Sequence, residues 1–101
     1  MDALKKFQSG EELLPNDVLL LVKTAENHAG LVEMRERIHG YTLLHWCARL
    51  GLDQAATNLV RLGANAAALN EDGKKSHELS RGTALTQMLE SAAKLNGVHC
   101  S

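Results

Sequence analysis

Two neighbouring side chains near the middle of the chain, His45 and Cys47, are of types that act together as base and nucleophile. Such a pair needs contact within hydrogen-bond reach. The stretch around them, LLHWCARL, has helical periodicity, and residues two apart on a helix point to different sides. Cys47 falls on the apolar face and reads as a small buried hydrophobe. A metal site would need converging ligands. The histidines at 28, 39, 45, 77 and 99 show no H-x3-H spacing, and the cysteines at 47 and 100 no C-x2-C. His99-Cys100 offers at most a weak tail site, and a solvated tail is the preferred reading. Asn70-Glu71-Asp72-Gly73 lacks the alternating ligands and closing glutamate of a calcium loop, so it reads as a turn. No glycine-rich phosphate loop is present. Trp46, the single tryptophan, is either a partner anchor or a packing residue, with packing preferred. No catalytic, cofactor-binding or metal-ligating residue is assigned, and the expectation is a non-enzyme without a cofactor.

The elements that must position these residues are helices. The 101-residue chain has the size of one domain. It is 45% hydrophobic but only 3% aromatic, so its core must be built from Leu, Val and Ala. That suits thin, closely packed helices better than a β-sandwich. Net charge is −1, and the basic residues are scattered rather than striped, which argues against nucleic acid and anionic membrane as partners. The longest uninterrupted apolar run, Val18 to Val22, is far too short to cross a bilayer. Two distant cysteines fit a reducing compartment better than a structural disulfide. The chain opens Met-Asp-Ala-Leu-Lys-Lys, without the apolar core of a signal peptide.

Ala3, Leu4 and Phe7 share a face of a short helix over 2–9, ended by Ser9-Gly10. Pro15 leads into a second helix, with Asn16 or Asp17 accepting from its first-turn amides. Val18, Leu21, Val22 and Ala25 line its inner face to about His28, and Gly30 stops it. Leu19 and Leu20 widen that face, so this helix is expected to pack on two sides. Segment 31–39 fits either a short helix or an extended finger, and the finger is preferred. Thr42 caps a helix over 43–50 ended by Gly51. Asp53 caps one over 54–62 ended by Gly63. Ser76 to Ser80 is a further short helix. Thr83 caps the last, from about Ala84 to Leu95, closed by Asn96-Gly97, with a frayed tail after it.

Gly40 recurs at Gly73, and Gly30 at Gly63, both after 33 residues. Between the first pair, Gly40, Thr42, Leu44, His45, Ala48, Gly51, Leu59, Gly63 and Ala64 stand in the register G-x-T-P-L-H-x-A-A-x-x-G-H…L-L-x-x-G-A. The stretch therefore resembles the ankyrin repeat family. Leu43 stands in place of proline, Leu52 of the second histidine, Cys47 of the first alanine and Asn65 of an aspartate. The flanking copies are degenerate, as caps are.

The resemblance implies an all-α, short ankyrin-repeat stack of helix-turn-helix units joined by β-turn fingers. It divides the single domain 1–101 into an N-terminal cap (1–39), a central repeat (40–72) and a C-terminal cap (73–101). His45 would tie the loop backbone to the helix start through Thr42. The function implied is that of a non-catalytic intracellular protein–protein interaction module, an adaptor or regulatory domain in the cytoplasm with nuclear entry open. The alternative is a self-association module forming a homodimer. Family partners dock on finger tips and the open face of the first helix. The matching positions are Ile38, His39, Tyr41, Arg49, Leu50, Leu62, Glu71, Asp72 and Lys74. Ile38, Tyr41 and Leu50 would form an exposed apolar anchor. The competing reading tucks Ile38 and Leu50 against the first copy.

Overall fold

A computed structural model describes residues 2–80 and 82–98, and among them every regular element is a helix. The order is α1 (Asp2–Ser9), α2 (Pro15–Ala25), a 3-10 turn (Ala29–Glu33), α3 (Leu43–Leu50), α4 (Asp53–Arg61), α5 (Ser76–Leu79) and α6 (Thr83–Val98). No helix among these residues is long and apolar enough to cross a membrane.

The centre is α3. Every residue from Leu43 to Ala48 is buried, which leaves it no solvent face over its first six positions. It packs against α2, α4 and α5. A helix buried all round has to be central, because no amphipathic stripe orients it. Its start is fixed by Thr42, whose hydroxyl accepts from the His45 N–H at 3.3 Å. It ends in a left-handed glycine, Gly51 (φ 73). There the Leu52 N–H reaches the Cys47 carbonyl (2.9 Å) and the Gly51 N–H reaches that of Ala48 (3.2 Å). Gly63 (φ 97) ends α4 with the same pair of bonds, from Ala64 to Leu59 and from Gly63 to Val60. This paired closure satisfies the last carbonyls and needs a residue free to take positive φ. The buried alanines 48, 55, 56 and 64 let α3, α4 and the following loop approach closely.

Several boundaries differ from the sequence expectation. Helix α2 ends at Ala25 rather than His28, because from Thr24 onward the chain switches to tighter bonding that leads into the 3-10 turn. The turn swings Leu31 and Val32 into the core, a stronger demand than three more residues of helix. Gly30 lies inside that turn instead of stopping α2. Asp17 does satisfy an amide at the start of α2, that of Leu14 (3.2 Å), from the third helical position. Asp53 is the first residue of α4 and not its cap. Leu19 and Leu20 are about half exposed, so α2 packs on one side only. Helix α6 runs on through Asn96-Gly97 to Val98, and the tail beyond lies outside the described residues.

The finger expected over 31–39 begins only at Met34, in extended backbone, because residues 31–33 complete the 3-10 turn, and it runs to residue 41. The Glu36 N–H donates to the Tyr41 carbonyl at 2.9 Å and closes a turn over Arg37, Ile38 and His39. A second turn spans Asn70 to Lys74, with the Asn70 N–H donating to the Lys74 carbonyl at 3.0 Å. The two turns lie side by side, joined by the Glu71 N–H donating to the His39 carbonyl at 2.8 Å.

Candidate functional site

The joined turns form a structured surface feature, and each is held from within by one polar side chain. Glu36, only 3% exposed, turns its carboxylate under the first turn. It accepts from the backbone N–H groups of His39 and Tyr41, the latter at 3.3 Å, and its other oxygen lies 3.3 Å from His39 Nδ1. Asn70 does comparable work in the second turn. Its Oδ1 accepts from the N–H groups of Asp72 and Lys74, both at 2.9 Å. A buried acceptor that collects two donors fixes a turn more firmly than the backbone alone.

His45 joins these turns to the core. Its Nδ1 accepts from the Thr42 N–H (3.2 Å) and hydroxyl (2.8 Å), so the proton sits on Nε2 and is donated to the Lys74 carbonyl at 3.1 Å. Burial lowers the His45 pKa below 6.5. The bond to Lys74 opposes this and the charge of Arg35 reinforces it. The imidazole is therefore neutral at pH 7, with both nitrogens engaged in structure. Burial pushes the Cys47 thiol up to about 12, which removes the thiolate a nucleophile needs. Among the described residues no group of three or more His, Cys, Asp or Glu could hold a metal ion. The His99-Cys100 pair lies outside those residues.

The expected docking residues fall in three places. Ile38 and His39 on the first turn, with Glu71, Asp72 and Lys74 on the second, are all exposed and form one edge. Ile38 is 60% exposed, with the rest of its side chain against Gly10 at the end of α1. Arg49 and Leu50 sit at the far end of α3, about 10 Å along its axis from its first residue at 1.5 Å per residue. They border a separate cleft with Glu12, Trp46 and Gly51. Leu50 is half-buried against the core there. Leu62 borders a third, shallow cleft with Glu26, Asn58 and Arg61.

Tyr41 departs from the expectation of an exposed anchor, being only 9% exposed. Gly40 takes φ 70, and the chain leaving it lays the tyrosine ring inward. The ring stacks on His39 (centroids 4.9 Å apart) and on His45 (5.8 Å), and meets Trp46 edge-on at 5.6 Å. Trp46 is fully buried and is a packing residue, with the Arg49 guanidinium 5.1 Å from its ring centre. The sequence reading missed Glu36. Its signal was an acidic residue between Arg35 and Arg37, shortly before a turn glycine.

Compared with known proteins, no family model matches the chain, and neither does a characterised protein or a solved structure.

Proposed function

We propose that the chain is a short ankyrin-type stack that works as a non-catalytic intracellular protein-interaction module, with 40–72 as its complete unit between two caps. The observation that carries this reading is the 2.8 Å bond from the Glu71 N–H to the His39 carbonyl. It aligns two turns whose glycines are 33 residues apart into one edge of exposed residues. Ile38 supplies an apolar anchor on that edge. His39, Glu71, Asp72 and Lys74 supply a polar rim of both charge signs, the make-up of a transient protein contact. The partner of such an edge is a protein in the cytoplasm or nucleus, and the chain acts on it as an adaptor or regulatory domain. The test is affinity capture from cell extract with the wild type and an Ile38→Ser/Lys74→Glu variant. The reading expects a partner recovered by the first and lost by the second, and equal recovery overturns it.

A second reading has its own support. Leu14, Leu19 and Leu20, on and beside α2, are 60%, 47% and 49% exposed. That is a large apolar showing for one short helix. A second copy covering it would make the chain a homodimer. Sedimentation that shows only monomer at high concentration removes this reading.

A further inference from the structure

A groove of about 640 Å³ runs between the end of α1 and the first finger turn, and shares Ile38 with the joined edge. Gln8, Ser9, Met34, Arg35, Arg37 and Ile38 line it. Its position follows from the close approach of Gly10 to the Ile38 and Glu36 side chains. At Gly10 (φ +83) a Cβ atom would meet the Ile38 side chain and would stand 2.7 Å from Glu36 Oε2. The Gln8 amide lies 3.6 Å from the Met34 sulfur and bridges the two walls.

The charges on this groove are unbalanced. Arg35 and Arg37 are both exposed, and among the described residues neither makes a salt bridge or hydrogen bond. The carboxylate between them in sequence, Glu36, is turned under the chain and is taken by the His39 and Tyr41 amides. The alternation puts one acid inside and two bases outside. Exposed Ile38 and half-buried Met34 give the same groove an apolar portion.

We propose that this groove binds an acidic peptide segment of a protein partner, with carboxylates on Arg35 and Arg37 and an apolar side chain between them against Ile38 and Met34. The proposal rests on the protein-interaction reading above and gives that partner its chemistry. Guanidinium groups suit carboxylates because they donate in a planar fork. A bare inorganic anion would leave Ile38 and Met34 unused. A nucleic-acid strand would meet only two arginines, with no aromatic ring in the groove to stack on. A chain of net charge −1 adds no wider field to attract it.

The probe is a fluorescein-labelled nonapeptide with Glu-Leu-Glu at its centre in a Gly/Ser frame, titrated with the full chain by anisotropy at low salt. Saturable binding is expected. It should weaken at least tenfold with a Gln-Leu-Gln centre, at least tenfold in Arg35→Gln/Arg37→Gln, and severalfold in Ile38→Ser. The Gln-Leu-Gln peptide tests the charge requirement on the unaltered protein. The proposal is overturned by absence of saturable binding up to millimolar peptide, by equal affinity for both peptides, by unchanged affinity in the folded arginine variant, or by tighter binding of a labelled oligouridine. If the groove fails while Ile38→Ser/Lys74→Glu still abolishes partner capture, the interaction reading stands without it.

Discussion

His45 Nε2 lies 3.1 Å from the carbonyl oxygen of Lys74, a residue 29 positions further along the chain. Through Nδ1 the same ring holds Thr42, where the first finger returns to α3. One buried neutral imidazole thus fastens both turns to the central helix. Its removal leaves the Lys74 carbonyl and the Thr42 groups without this partner and opens a cavity beside Tyr41. His45→Ala should therefore cost roughly 2–4 kcal/mol, combining unpaired polar groups with lost packing. Urea unfolding measures it. A loss below about 0.5 kcal/mol, the range of ordinary surface changes, contradicts this role.

The same histidine sets a pH dependence. Its pKa is lowered in the folded chain, chiefly by burial, from the 6.5 expected when unfolded. Below that value the unfolded chain binds the proton more readily than the folded one. Stability contributed by the neutral ring is therefore complete above pH 6.5 and is lost as pH falls from there toward the lowered folded value. Unfolding free energies of wild type and His45→Gln should converge as pH falls from 7.5 to 5. A constant difference across that range would falsify the linkage.

Cys47 gives a chemical readout of the core. Its thiol is held up at about 12 by burial. In a Cys100→Ser background, a thiol reagent at neutral pH should modify Cys47 only as fast as the chain opens, and immediately in denaturant. Rapid modification of the native protein would show that α3 is not the sealed centre described.

Ala48 has no exposed surface, on a helix enclosed by α2, α4 and α5. Ala48→Phe should overpack this space and cost about 1–3 kcal/mol. Thermal denaturation checks it, and an unchanged midpoint contradicts the close packing.

Strong local signals carried much of this fold. The Ala3–Phe7 face, Pro15, the Thr42 cap and the glycines at 51 and 63 each act within a few residues, so α1, the start of α2, α3 and the end of α4 were legible from spacing. What was not legible depends on distant partners. The end of α2 is decided by the burial of Leu31 and Val32, and the exposure of Leu19 and Leu20 by the absence, among the described residues, of a packed neighbour on that side. On the edge of the joined turns, the exposure of Ile38, His39, Glu71, Asp72 and Lys74 was readable because turn tips are exposed in any register. Tyr41 was not, because its burial needs the rings of His39, His45 and Trp46 to converge. Glu36 looked like one more surface charge until the turn closed over it.

The central claim is that a protein partner is met on the edge formed by the two joined turns. A photo-crosslinking residue placed in turn at His39, Asp72 and, as a distant control, Glu90 on α6 tests it most directly in cell extract. The account predicts adducts to one common partner from positions 39 and 72 and none from 90. Adducts from position 90 alone, or equally from all three, would contradict it.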